Sequence, residues 1–139
     1  MALVMPLCQA IGRFGNYFNQ EAYGFPTNSF IKLYVSPINR NELYSNNEYF
    51  HPTFLYESIL NLFLFVFLNL LFFKNKKLKQ GSYLFLYLTG YSLIRIIVEF
   101  FRIDNILSIN NIAIAHVISF IVLIVSVLMY FIINNKRSA

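Results

Sequence analysis

The sequence predicts an all-α integral membrane protein with three transmembrane helices and the tail of a fourth. Of its 139 residues, 58% are hydrophobic and only 12% are charged, whereas soluble domains carry about 25% charged residues. Three apolar stretches reach the roughly 20 residues that a helix needs to cross a bilayer. Short polar connections join these stretches, so we expect antiparallel neighbours within a single membrane domain, residues 1–139.

The elements follow from the distribution of apolar residues along the chain. Residues 1–11 are apolar but too short to span a bilayer, and we predict that they are the tail of a membrane helix rather than a signal peptide. Residues 12–52 form a polar extracytoplasmic segment rich in Pro and Asn, in which residues 30–35 favour a short strand. The spans are predicted at residues 53–73, 82–103 and 112–133.

Basic residues predict the orientation of the spans. Four lysines lie between the first two spans, and Lys136 and Arg137 lie near the end of the sequence. Cytoplasmic connections carry an excess of Lys and Arg, so these places and the C-terminus are predicted to be cytoplasmic. Topology then accounts for the net charge of +5, and a nucleic-acid partner is not needed.

The single cysteine excludes an intramolecular disulfide and a cysteine-rich metal site. We predict neither a metal nor another cofactor. Cys8 itself is predicted to be a buried structural residue, because free cysteine behaves as a small hydrophobic side chain.

The first polar motif runs from Gly12 to Gly24. It holds an arginine, two asparagines, a glutamine and a glutamate within nine residues. Its glycines allow the backbone to turn or to approach a ligand closely. Such a concentration of polar groups in an apolar chain indicates a functional site.

A second polar motif lies in the middle span, at spacings of four, four and three residues that place its members on one helix face. The members are Tyr91, Arg95, Glu99 and Arg102. Arg95 would lie about 12 Å from the outer end of the predicted helix. An arginine at that depth faces protein or a watery cavity, because exposure to lipid is costly. Arginine forms bidentate hydrogen bonds to phosphate, so Arg95 and Arg13 can hold a lipid headgroup. The alternative is an ion pair between Arg95 and Glu99 in which the two charges merely neutralise each other.

The third motif, His51 to Glu57, lies at the outer start of the first span. Pro52 suits a first helical turn and Thr53 can cap it, which places Tyr56 and Glu57 one turn inside. His51 is an acid–base candidate, with a surface turn as the simpler alternative. Glu57 is either part of the site or a solvated carboxylate favoured by the helix dipole.

Together, the three motifs resemble the prolipoprotein diacylglyceryl transferase family of bacterial membrane enzymes. They read Gly12-Arg13-x-Gly15-Asn16-x-x-Asn19-x-Glu21-x-x-Gly24, His51-Pro52-x-x-Leu55-Tyr56-Glu57 and Gly90-Tyr91-x-x-x-Arg95-x-x-x-Glu99-Phe100-x-Arg102. Their order and spacing are specific, whereas Gly-Arg-x-Gly-Asn alone would not be. The resemblance extends from Cys8 to Asp104 and corresponds to the C-terminal half of the family. The family's N-terminal half, with a histidine–glycine motif assigned to thiol activation, has no counterpart in this sequence.

The resemblance implies transfer of the diacylglyceryl group of phosphatidylglycerol to the lipobox cysteine of preprolipoproteins, the first step of bacterial lipoprotein maturation. The implied partners are phosphatidylglycerol, the preprolipoprotein signal peptide, the lipid bilayer and a separate N-terminal half. The implied location is the bacterial cytoplasmic membrane, with the site on its extracytoplasmic side. The nucleophile is the thiol of the substrate protein, not that of Cys8.

The resemblance also implies roles for individual residues. Arg13 and Arg95 would bind the phosphate and stabilise the departing glycerol phosphate by prepositioned charge. The remaining catalytic candidates are Glu21, which would fix an arginine or move a proton, Tyr91, which would support Arg95, and His51, which would replace the missing base. The residues implied to bind the lipid headgroup with the two arginines are Asn16, Asn19 and Gly24. The residues implied to support these groups without binding the lipid themselves are Glu57, Glu99 and Arg102.

Two other classes of function remain open from the sequence. The chain could be an inactive membrane remnant or interaction module that keeps the family fold. It could instead be a small transporter subunit, with Arg95 and Glu99 lining a path across the membrane.

Overall fold

The computed structural model describes residues 1–74, 78–103, 108–109 and 112–135. Within these residues the chain is mainly helical. The helices are α1 (Met5–Gly12), α2 (Phe14–Asn19), α3 (Thr53–Lys74), α4 (Gln80–Glu99) and α5 (Ile114–Asn135). The two-residue strands are β1 (Leu33–Tyr34), β2 (Tyr49–Phe50), β3 (Ser108–Ile109) and β4 (Ile112–Ala113). β1 pairs with β2 and β3 pairs with β4, both antiparallel.

The helices α3, α4 and α5 are long and apolar enough to cross a membrane, with mean hydropathies of 1.9, 1.3 and 2.7. At 1.5 Å per residue, α3 and α5 are about 33 Å long, which matches the roughly 30 Å of a bilayer's hydrocarbon core. The predicted class of an all-α membrane protein with three spans is therefore confirmed.

The middle helix is shorter than predicted, because α4 ends at Glu99 and not at Ile103. Beyond it, Phe101 accepts a hydrogen bond from the backbone of Phe25, and Arg102 pairs with Gly24 in a β-bridge. These residues leave the helix to bind the polar segment. Arg95 consequently lies four residues, about 6 Å, from the helix end instead of about 12 Å.

The last span also begins later than predicted, at Ile114, since Ile112–Ala113 form strand β4. Residues 104–107 and 110–111 of the predicted connection lie outside the described residues. The same holds for residues 75–77 between α3 and α4, and for the basic residues at 136–137.

Helix α1 packs antiparallel along α3. The Ser58 hydroxyl donates to the carbonyl of Ala10 at 2.7 Å, and the Asn69 amide donates to that of Leu3 at 3.4 Å. Ala10 and Pro6 are buried in this contact. Cys8 is exposed, contrary to prediction, because two residues correspond to about 200° of helical rotation and carry it away from α3.

Residues 20–52, here called the loop segment, cover the end of α3 and α4 at Thr53 and Glu99, which we call the loop end. The segment's apolar residues Tyr23, Leu33, Val35 and Phe50 form a small core together with Phe54 of α3. Within the predicted strand at residues 30–35, Leu33–Tyr34 form strand β1, and the backbone of Val35 donates to the carbonyl of Glu48.

Candidate functional site

Five charged side chains form a continuous row at the loop end, which we call the arginine–glutamate row. Its members are Arg13, Glu57, Arg95, Glu99 and Arg102. Glu57 lies 2.6 Å from an Arg13 nitrogen through Oε1 and 3.4 Å from an Arg95 nitrogen through Oε2. Oε2 of Glu99 lies 3.4 Å from Arg95 Nη2 and 3.8 Å from Arg102 Nη1.

The row joins three separate parts of the chain. Arg13 lies at the break between α1 and α2, and Glu57 lies near the start of α3. Arg95 and Glu99 occupy the last turns of α4, and Arg102 follows directly. The i,i+4 pair that the sequence offered as an alternative is present, but Arg95 also contacts Glu57 on another helix. Arg95 and Glu99 therefore do not form an isolated pair.

The charges of the row differ in their exposure. The side chains of Glu57 and Glu99 are 3% and 6% exposed, whereas those of Arg13, Arg95 and Arg102 are 23%, 16% and 15% exposed. Three arginines and two glutamates leave a formal charge of +1. Guanidinium groups are hydrogen-bond donors only, so the accessible part of the row suits an anion.

Glu57 lies at the centre of the row. The residue is 2% exposed, which rules out the alternative of a solvated carboxylate at a helix start. Its Oε1 meets Arg13 at ion-pair distance but without the angles of a hydrogen bond. The two positively charged arginines offset the free-energy cost of desolvating this carboxylate.

His51 is half-buried beside the row's helices, with Nδ1 3.0 Å from the Tyr56 hydroxyl and its ring edge-on to Phe101. Its backbone accepts from Gly24 and donates to Phe25. The residue is therefore held in a fixed place, unlike the surface turn that the sequence allowed.

Gly24 lies where the loop segment crosses between α3 and α4. A Cβ atom built on Gly24 would collide with the carbonyl of Phe101 and lie 2.8 Å from the Cβ of His51. The backbone of Gly24 donates to the His51 carbonyl at 2.8 Å. Nearby, the Thr53 hydroxyl donates to the carbonyl of Ala22. Close backbone approach explains the glycine.

The remaining predicted site residues of the first and second motifs lie outside the row. The Asn19 amide donates to the Glu21 carboxylate at 3.2 Å, and both side chains are exposed. Asn16 is half-buried on α2, and its carbonyl accepts from the backbone of Glu21. Tyr91 lies one turn below Arg95 and stacks on Tyr87 with ring centres 6.0 Å apart. Glu21 thus contacts Asn19 and not the arginine that was one of its two predicted roles, and the other role, moving a proton, stays a prediction.

Comparison with known proteins identifies the family. The profile of the prolipoprotein diacylglyceryl transferase family matches residues 1–132. The chain belongs to this family.

Three relatives, each called a phosphatidylglycerol–prolipoprotein diacylglyceryl transferase, show how much of the family the chain covers. It is 48% identical to the protein of Acaryochloris marina over 115 residues, covering 83% of this chain and 42% of the relative. It is 41% identical to that of Thermotoga maritima over 134 residues, covering 96% and 45%. It is 50% identical to that of Parasynechococcus marenigrum over 108 residues, covering 75% and 39%. The chain therefore spans less than half the length of these relatives.

Some residues around the site of this diacylglyceryl transferase family member were missed in the sequence. Asn61 is fully buried and donates to the Glu57 carbonyl at 2.8 Å. Gln20 adopts a positive φ of 53° and accepts from the Ser36 backbone at 2.8 Å, which ties α2 to the loop segment. Asn61 follows Glu57 by four residues, so helical spacing could have identified it. The fold of the loop segment around Gln20 carries no comparable signal.

In the described part of this family member, no three His, Cys, Asp or Glu side chains lie close enough together to hold a metal ion.

Proposed function

We propose that this chain supplies the phosphate-binding part of an enzyme that transfers the diacylglyceryl group of phosphatidylglycerol to the lipobox cysteine of preprolipoproteins. The observation that carries the proposal is the meeting of Arg13 and Arg95, from separate segments, on the one carboxylate of Glu57. Membership of the transferase family supports the same reaction.

The charge of the arginine–glutamate row supports a phosphodiester as its ligand. A phosphodiester carries one negative charge, which complements the formal +1 of the row. Arg13 and Arg95 would donate to the phosphate oxygens, because charge-assisted bonds from arginine to phosphate are among the stronger hydrogen bonds. Asn16, Asn19 and Gly24 would border the headgroup, and Glu99 and Arg102 would support Arg95.

The proposed reaction is a displacement at the carbon of the diacylglyceryl group that is bonded to a phosphate oxygen. The cysteine sulfur forms a bond to this carbon, the carbon–oxygen bond breaks, and its electron pair stays on the phosphate oxygen of glycerol phosphate. The thiol proton passes to a base, for which we propose His51, held by Tyr56. Arg13 and Arg95 would stabilise the charge that develops on the leaving phosphate. Tyr91 and Glu21 would act from neighbouring positions.

We propose that the row faces the extracytoplasmic side of the bacterial cytoplasmic membrane and that the C-terminus is cytoplasmic. Lys74 and Lys79 lie at the ends of α3 and α4 opposite the row. Lys79 also donates to the carbonyl of Ile133 near the end of α5. An excess of basic residues at this end supports a cytoplasmic location.

The proposal is tested by complementation in a bacterium depleted of its own transferase. This chain would be co-expressed with the part of the Thermotoga maritima relative that the match leaves uncovered. We expect growth and lipoprotein modification, both lost in Arg13→Ala and Arg95→Ala. Lys32→Ala is the matched control, because this exposed cation lies over Tyr49 in the loop segment.

Each result of the complementation assay decides between functions. Rescue that survives both arginine substitutions would contradict the proposed site. No lipoprotein modification, with both segments present in the membrane, would contradict the proposed activity and favour an inactive family member. Solute flux through liposomes that contain the chain would favour a transporter subunit.

A further inference from the structure

We infer that Glu57 is the positioning residue that fixes Arg13 against Arg95 and so determines the gap into which a phosphate fits. The effect on phosphate binding rests on the proposed function. The positioning of Arg13 by Glu57 does not, and it can be measured without catalysis.

Glu57 differs from Glu99 in what it joins. The two partners of Glu99 are Arg95 and Arg102, which lie four residues before it and three after it on the same stretch of chain. The partners of Glu57 come from α4 and from the α1–α2 break. Only the second arrangement can set the distance between two segments.

Arg13 depends on this contact more than Arg95 does. A Cβ built on Gly12 or Gly15, the glycines that flank the arginine, would meet no atom within 4 Å. In contrast, Arg95 belongs to the long helix α4, which packs tightly on α3 where Gly90 meets Leu64. Among the described ion pairs, the guanidinium of Arg13 has one carboxylate partner, Glu57, whereas that of Arg95 has two, so loss of the Glu57 carboxylate removes all of the ion pairing of Arg13 and half of that of Arg95.

Glu57 is itself well anchored. The backbone carbonyl of Glu57 accepts from the buried Asn61, and the next residue, Ser58, binds the carbonyl of Ala10 across the α1–α3 contact. Without the carboxylate, two like-charged guanidinium groups would converge with nothing between them, and their repulsion would separate the segments. A phosphate would then meet the two arginines one at a time.

Arginine-selective labelling tests this inference. The full chain in detergent micelles would be treated with phenylglyoxal, and modification at each arginine would be followed by peptide mass spectrometry. In Glu57→Gln we expect Arg13 to react at least about fivefold faster than in wild type, because a lost ion pair of about 1 kcal/mol corresponds to that factor. Glu99→Gln is the matched control and should leave the Arg13 rate unchanged.

Arg40 provides an internal reference for folding. This arginine is bonded to the carbonyls of Val35 and Ser45 within the loop segment. A rise at Arg13 with a constant rate at Arg40 supports the inference, whereas an unchanged Arg13 rate in Glu57→Gln overturns it. If the modification rate of Arg40 also rises, the more conservative variant Glu57→Asp is used instead. Its shorter side chain should raise the modification rate of Arg13 about twofold in a folded chain. An unchanged Arg13 rate in this variant would overturn the inference.

A double-mutant cycle on lipid binding tests the consequence. Dihexanoyl phosphatidylglycerol would be titrated into wild type, Glu57→Gln, Arg13→Ala and the double variant. We expect Glu57→Gln to weaken binding about tenfold in wild type and less than twofold in Arg13→Ala, because residues that act through one another are not additive. Fully additive losses would overturn the positioning role. Absence of binding in wild type would instead reject the proposed headgroup site, while the labelling rates would still decide how Arg13 is held.

Discussion

The two faces of α4 use different chemistry to hold their neighbours. Toward α5, contacts are neutral: the hydroxyls of Thr89 and Ser126 lie 2.9 Å apart, and the Ser82 hydroxyl donates to the Asn134 side chain at 3.2 Å. Toward α3, the loop end of α4 presents Arg95 to the carboxylate of Glu57, and Glu99 pairs with Arg95 along α4 itself. Neutral hydrogen bonds stabilise the packing of membrane helices without placing a charge in the membrane, whereas a charged side chain there has a high free-energy cost. We propose that the charges serve binding, whereas the neutral contacts serve packing.

Exposure supports the same division. In the apolar 18-residue stretch of each spanning helix, only 11% is buried for α5, compared with 33% for α4 and 28% for α3. α5 therefore packs mainly on one neighbour, while α4 lies between α5 and α3. The arginine–glutamate row lies on the side of α4 where α1, α3 and the loop segment converge, and this is where substitutions should affect function most.

The largest effect is expected at the charged face, for Arg95→Ala. This change removes the donor shared by Glu57 and Glu99, and we expect diacylglyceryl transfer in the complemented cells to fall about 100-fold or more. Arg95→Lys should recover little of it, because one ammonium group cannot reproduce the forked geometry of a guanidinium. Radiolabelled lipid transfer to a lipoprotein checks the result, and wild-type rates for Arg95→Lys would contradict the two-pronged role.

A smaller effect is expected where the loop segment crosses the helices, for Gly24→Ala. The added methyl group collides with the Phe101 carbonyl, which cannot move without disrupting its bond to Phe25. We expect a destabilisation of about 1 to 3 kcal/mol, confined to the loop segment. Faster proteolysis of that segment in micelles would reveal it. Gly15→Ala, which adds its methyl group to open space, is the control.

Next in size is Gly90→Ala in the contact between α3 and α4. The new methyl group would lie 2.5 Å from a Leu64 methyl carbon, which can shift only partly. We expect a loss of about 1 kcal/mol in stability, seen as a lower unfolding temperature in micelles. Gly81→Ala meets the Ile133 side chain at an ordinary 3.7 Å and should be neutral or stabilising. Equal effects of the two changes would contradict this account of the packing.

The smallest effect is expected at the neutral face, for Thr89→Val combined with Ser126→Ala. Hydrogen bonds between membrane helices contribute about 0.6 kcal/mol on average, so stability should fall by about that amount and transfer should be unchanged. A loss of transfer as large as that of Arg95→Ala would remove the distinction between the two faces of α4.

The sequence predicted the spans well because hydropathy is a property of composition over about 20 residues. It failed at the end of α4, where Phe101 and Arg102 pair with the distant backbone of residues 24–25, and at the start of α5, where Ile112–Ala113 pair with the neighbouring strand β3. The spacing of Arg95 and Glu99 located half of the row, because helical periodicity is local. The central place of Glu57 depends on how three segments meet, and no spacing within one segment reports that.

The most direct test of the central claim is whether Arg13 and Arg95 form one anion site. The full chain in neutral micelles would be titrated with dihexanoyl phosphatidylglycerol and with the zwitterionic dihexanoyl phosphatidylcholine. We predict about tenfold tighter binding of the anionic lipid, which corresponds to one charge-assisted hydrogen bond, and loss of this preference in either Arg13→Ala or Arg95→Ala. A preference that persists when both arginines are replaced would contradict the claim.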